Sequence, residues 1–315
     1  MDLNDRTLEY CDEILPDDSG DMRVESSQAD CGTRLIDCGI QTRGGLEAGR
    51  MLAEICLATL GTIELVPCRA DLWSGVAVTV STDQPIAACM ASQYAGWQIS
   101  GEDFFGMGSG PMRAAAGTEA IFDDIGFREK TEEAIGVIET AKLPGSDVCE
   151  KIAAACGVEP GDLTLLMAPT ASLAGTVQVV ARSVETALHK MHELKFDLHR
   201  VVSGYGSAPL PPVAANDLAG IGRTNDAVLY GGEVTLWVTG DDASLEALGP
   251  QIPSLSSKDY GEPFAGIFER YNHDFYQIDP LLFSPAVVTL NNLDTGKTWR
   301  FGELRGDVIE RSFSN

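Results

Sequence analysis

Arg182, Glu185, His189 and His192 stand at i, i+3, i+7 and i+10 within VVARSVETALHKMHELK, residues 179–195. On a helix that turns about 100° per residue they share one stripe about 80° wide. Val180, Val184, Ala187, Leu188, Met191 and Leu194 gather on the other side and are expected to face a core. The residue types leave three readings of the stripe open. It is a solvated face in which an Arg182–Glu185 pair stabilises the helix by about 0.2–0.5 kcal/mol. Or Glu185 is a general base for water, held by Arg182. Or Glu185, His189 and His192 ligate a metal, although HxxH here lacks the flanking acid of the common zinc motif.

A second candidate is DFFGMGSGPMRAAAGTEAIFDD, residues 103–124. Gly106, Gly108 and Gly110 alternate, and Pro111 suits the first position of a helix, where its missing N–H costs nothing. Free N–H groups at a helix start attract anions, glycines permit close approach, and Arg113 adds charge. No Lys-Ser/Thr follows the last glycine, and Arg113 occupies the place of a dinucleotide fingerprint's third glycine. An anion cradle and a plain tight turn both remain open.

These residues need elements to position them. β-like runs recur at RLIDCGI, GTIELVP, GVAVTVST, IAACMASQ, EAIGVIET, DLTLLMAP, FDLHRVVSG, DAVLYG, EVTLWVTG and AVVTLNN. Helical patterns cover 44–60, 110–125, 145–156, 176–195 and 263–271, the third with Ser146 as N-cap and Gly157 as its stop. Several strands follow one another with no room for a crossover helix, which predicts mixed or antiparallel sheets in an α+β fold. We expect one unit over residues 1–315 made of two α+β subdomains, with no linker to mark their boundary. The Gly- and Pro-rich segment 201–232 reads as a long functional loop carrying Tyr205 and Asn216.

Composition narrows the function. Forty-seven acids against 22 bases leave a net charge of −25 in 315 residues, which opposes binding to nucleic acid or an anionic membrane surface. The acidic N-terminus lacks the basic-then-apolar order of a signal peptide. The uncharged run 163–181 is broken by Pro169, Gly175 and Gln178, so a buried strand, a turn and a helix start account for it better than a membrane span. The eight cysteines form no CxxC pair and read as reduced core residues of a soluble, cytoplasmic protein; a cysteine hydrolase finds no Cys–His arrangement.

FFGMGSGPMRA, ARSVETALHK, SGYGSAPLPPVA and NDAVLYGG, in this order and with the early CGIQTRGGLEAG, closely resemble methenyltetrahydromethanopterin cyclohydrolase over essentially the whole chain. The resemblance implies an enzyme of one-carbon metabolism, in methanogenesis or formaldehyde oxidation. It implies a homotrimer of two α+β domains with a pterin substrate in the cleft between them, and neither metal nor redox cofactor. It makes Arg182 and Glu185 the catalytic pair. The carrier's anionic tail gives Gly108, Ser109, Gly110 and Arg113 an expected role in binding, with Tyr205, Asn216 and Asp217 as further candidates. The rival classes are a metal-dependent amidohydrolase using Glu185, His189 and His192, and a non-catalytic pterin- or anion-binding protein.

Overall fold

The computed structural model describes residues 2–15 and 20–314. The chain forms two compact units, each drawn from two stretches: Met1–Gly61 with Ile86–Gln178, and Thr62–Pro85 with Val179–Asn315. In chain order, α1 (Leu3–Ile14), β1 (Glu25–Gln28), β2 (Arg34–Asp37) and α2 (Leu46–Cys56) open the first unit. The second unit takes β3 (Gly61–Pro67) and β4 (Val76–Thr82). A π-helix at Ile86–Gln93, β5 (Trp97–Ser100), β6 (Phe105–Ser109), α3 (Met112–Ala116) and α4 (Ile121–Ile125) belong to the first unit again. So do β7 (Ala134–Glu139), α5 (Ser146–Cys156) and β8 (Leu163–Ala168), and that stretch ends at Gln178 inside α6 (Leu173–Val180). The second unit continues with α7 (Ser183–Glu193), β9 (Val201–Pro209), α8 (Asp217–Gly231), β10 (Glu233–Val238) and α9 (Asp242–Leu248). It closes with α10 (Phe264–Arg270), β11 (Val287–Asn292), β12 (Thr298–Gly302) and α11 (Gly306–Phe313).

The first unit is built on a six-stranded sheet of order β1-β2-β8-β7-β6-β5. β2, β8 and β7 run parallel, while the outer pairs are antiparallel. Leu163, Leu165 and Met167 of β8 pack with Val148, Cys149 and Ile152 of α5. Leu166 and Ala168 join the cluster that holds Met51 and Ile55 of α2. Helices thus cover both faces, which is why LTLLMA is buried at every position instead of alternating. Truncating a residue such as Leu165 in this core costs about 2–5 kcal/mol.

The second unit's sheet has the order β12-β11-β10-β9-β4-β3. β10 and β11 are parallel; β9 pairs antiparallel with both β10 and β4. α7 and α8 pack on β9. Val234, Leu236 and Val238 of β10 are buried, while Glu233, Thr235 and Trp237 between them are half-exposed, the alternation of a sheet with one covered face.

Both sheets mix parallel and antiparallel pairs in an α+β fold, as the strand spacing predicts. The run 163–181 resolves into β8, a turn and α6, and α5 ends at Gly157 in the left-handed conformation (φ 76°). No helix among the described residues is long and apolar enough to cross a membrane. All eight cysteines are free and six are buried.

Four expectations are corrected. IAACMASQ is a π-helix and not a strand: Met90 O and Ser92 O accept from Arg113 Nη1, and Gln93 O accepts from the Ser109 hydroxyl. Segment 201–232 is not a long loop, because Val201–Pro209 is β9 and Asp217–Gly231, with DAVLYG inside it, is α8. Gly222 is tolerated in that helix because a Cβ there would lie 3.1 Å from Ala265 Cβ, at the seam with α10. The pattern 110–125 divides into α3 and α4 around Gly117, which adopts φ 53°. The pattern 176–195 divides at Ala181–Arg182 into α6 and α7.

Candidate active site

The break between α6 and α7 places the two residues expected to do chemistry. Arg182 is the N-cap of α7, its N–H bonded to Val179 O and its carbonyl accepting from Thr186 N. Glu185 follows at the third helical position, in the positive end of the helix dipole, where a carboxylate is favoured. The i,i+3 spacing keeps the two on one side of the first turn. Arg182 is 7% exposed and Glu185 5%. Their side of the helix is therefore buried, which removes the reading of the stripe as a solvated face. Val180, Val184, Ala187, Leu188 and Met191 are also buried, as expected.

The rest of the stripe diverges from that pair. His189 Nε2 and His192 Nδ1 lie 4.0 and 3.9 Å from the Glu193 carboxylate, and burial pushes the His189 imidazole below its ordinary pKa. Among the described residues no three His, Cys, Asp or Glu side chains are placed to hold a metal ion, so the donor set of Glu185, His189 and His192 is not assembled. Between the histidines, Lys190 is fully buried and donates to Ser256 Oγ at 2.9 Å and to Leu281 O, tying α7 to two short turns of the second unit.

The glycine-rich stretch has a different structure from the cradle its pattern suggests. Residues 105–109 are strand β6, and only Gly110 (φ 89°) turns the chain toward α3. A Cβ at Gly106 would lie 2.5 Å from Ile138 Cγ2, and one at Gly108 would lie 2.8 Å from Ile99 Cδ1. These glycines let strand and neighbouring side chains approach. Ser109 is buried and donates to Gln93 O at 2.7 Å. Arg113 is fully buried: Nε and Nη2 each meet a Glu119 carboxylate oxygen at 2.8 Å, and Nη1 donates to Met90 O and Ser92 O. Tyr94 and Phe122 rings lie 5.0 and 5.2 Å from its guanidinium carbon. With these donors committed inside the first unit, Arg113 holds the end of the π-helix and offers no free grip on an anion.

Of the expected binding set, Tyr205 and Asn216 are exposed and Asp217 is half-buried. Tyr205 is 42% exposed in β9. Gly204 and Gly206 on either side of it face α7, so by strand alternation Tyr205 points to the far face of the sheet from Arg182 and Glu185. Asn216 is the N-cap of α8, its Oδ1 accepting from Ala219 N at 3.0 Å, which is the turn-residue role. Sequence reasoning missed Asp37, just before CGIQTRGG. Its carboxylate accepts from the N–H groups of Gly39, Ile40, Gln41 and Thr42 at 2.7–3.2 Å and shapes that whole turn. An aspartate preceding Gly and Thr is an Asx-turn signal that points to it. Two surface depressions, of about 280 Å³ beside Arg69 and Arg300 and about 400 Å³ beside Phe105 and Lys142, include none of the expected site residues.

The comparisons with known proteins agree on one family. A family model described as Cyclohydrolase (MCH) matches residues 2–313. The methenyltetrahydromethanopterin cyclohydrolase of Rhodopirellula baltica is 51% identical over 287 residues, which is 90% of this chain and 86% of the relative. Its namesake from Xanthobacter autotrophicus is 48% identical over 96% of this chain and 89% of its own length. The one from Methanosarcina mazei is 42% identical over 96% of both. A match over nearly the full length of each protein leaves no part of the chain for a different fold, and the chain belongs to the methenyltetrahydromethanopterin cyclohydrolase family.

Proposed function

We propose that this protein catalyses the reversible hydrolysis of 5,10-methenyltetrahydromethanopterin to the 5-formyl compound, with Glu185 moving the proton and Arg182 orienting it. The methenyl carbon lies between two nitrogens of a delocalised cation and is already electrophilic, so the enzyme has to supply a deprotonated water and a proton for the departing nitrogen. Glu185 takes a proton from water as the oxygen bonds to that carbon, giving a neutral carbinolamine. It returns the proton to the second nitrogen as the carbon–nitrogen bond breaks. The carbinolamine hydroxyl then releases its proton, leaving a formyl group on the first nitrogen. The sum is one cation and one water converted to one neutral formyl compound and one proton.

The observation that carries this reading is the burial of Glu185 and Arg182 together on the first turn of α7, within a chain whose named relatives are cyclohydrolases. A carboxylate shielded from bulk water exchanges protons with what is placed beside it, and general-base help of that kind contributes about 10²–10⁴ in rate.

Loss of the methenyl cation's absorbance on mixing purified protein with substrate tests the activity. A chromophore that persists while the ligand binds would make the protein a pterin-binding module instead. Glu185→Gln keeps the shape and removes the base; kcat should fall by about 10²–10⁴ with KM little changed. Undiminished turnover in that variant takes Glu185 out of the mechanism.

A further inference from the structure

We propose that Gly204 and Gly206 of β9 are positioning residues for the Arg182–Glu185 pair, forming a flat seat on which the first turn of α7 rests. The argument builds on the proposed catalytic role of that pair. A Cβ at Gly204 would lie 2.7 Å from Val184 Cγ1, and a Cβ at Gly206 would lie 2.3 Å from Ser183 Oγ and 3.0 Å from Val184 Cγ2. Ser183 and Val184 are the two residues between Arg182 and Glu185, and both are fully buried. The seat therefore grips the helix at the residues that separate the pair.

The geometry makes the seat direct in its effect. At about 100° per residue, Ser183 and Val184 centre on the side of the helix opposite Arg182 and Glu185. Any group that lifts the helix off the strand thus drives the pair outward along the line joining strand and helix. Val184 cannot avoid such a group by rotating, because a β-branched side chain in a helix has one strongly preferred χ1. A misplacement of about 1 Å at a catalytic group costs on the order of 10²-fold in rate. Two of the motifs read separately in the sequence, ARSVETALHK and SGYGSAPLPPVA, are here the two halves of one contact.

The test is a double-mutant cycle in the full chain. Gly204→Ala should lower kcat by about 10–100-fold with KM changed less than about threefold, because the displaced group acts on the reacting water and not on ligand grip. Val184→Ala alone removes the methyl groups a new Cβ would meet, and should keep kcat within about threefold of wild type. Gly204→Ala placed in the Val184→Ala background, which also guards against a single variant that does not fold, should recover kcat to the Val184→Ala level. Ser183→Ala should rescue Gly206→Ala only in part, since Val184 Cγ2 would still lie 3.0 Å from the new Cβ. Strictly additive losses in both cycles, or a folded Gly204→Ala enzyme with wild-type kcat, overturn the seat. If Glu185→Gln is fully active while the cycles still show rescue in thermal stability alone, the catalytic reading fails and the seat is a packing device only.

Discussion

Asp226 lets the physics of burial be read out as a pH dependence. It lies within α8, fully buried, and its Oδ1 accepts from Phe264 N at 2.8 Å, satisfying the first backbone donor of α10. Burial pushes its carboxyl up from 3.8 to about 7, against the opposing pull of the Ser312 hydrogen bond, the Phe264 amide and the Arg311 charge. Between those two values the folded chain holds a proton that the unfolded chain has lost, so stability falls as pH rises through the window from about 4 to about 7. At about 1.36 kcal/mol for each of about three pH units, the cost above pH 7 reaches roughly 4 kcal/mol.

Asp226→Asn keeps the acceptor for Phe264 N and removes the charge. At pH 8 the variant should be more stable than wild type by up to about 4 kcal/mol, or roughly 10 °C in Tm for a unit of this size. At pH 5, about one unit above the unfolded value, wild-type Asp226 is protonated in the fold and the difference should shrink to about 1–2 kcal/mol. Tryptophan fluorescence melts weight the relevant unit, since Trp73, Trp237 and Trp299 belong to it and Trp97 to the other. The net charge of −25 destabilises the fold as pH rises as well, but it acts nearly equally on both proteins and cancels in the difference. An advantage of the same size at pH 5 and pH 8, or a variant less stable at pH 8, would refute the assignment of the cost to Asp226.

Arg113→Ala should destabilise the first unit by about 3–5 kcal/mol in urea denaturation, because it strands Glu119 and the carbonyls of Met90 and Ser92. Arg113→Lys should recover little of that loss, since an ammonium cannot reproduce the two-pronged contact with Glu119; a full recovery would show that charge alone is needed. Asn216→Ala should cost about 1 kcal/mol in thermal denaturation through loss of the α8 cap, with Asn216→Asp near neutral and KM unchanged in both. A raised KM in Asn216→Asp would assign the residue to the ligand.

Which parts of this molecule were legible in its sequence depends on how far away the deciding partner lies. β3, β8 and α5 carry their own signals: β-branched and leucine runs, and a glycine that stops the helix. The break at Ala181–Arg182 and the π-helix at 86–93 carry none, because the π-helix carbonyls are taken by Arg113, Gly110 and Ser109 from some twenty residues downstream. The unit boundary is hidden for a stronger reason: each unit is assembled from two separate stretches, so no single point in the chain divides them. Glycine misled most. The same residue that marks a phosphate turn when read locally serves, at Gly106, Gly108, Gly204 and Gly206, to admit a neighbouring side chain from elsewhere in the chain. Local propensity and tertiary fit both select glycine, and only the position of the neighbour separates them. The Arg182–Glu185 pair escapes this ambiguity because its spacing on the helix is local, while the contact that holds α7 through Ser183 and Val184 comes from the sheet on the pair's opposite side.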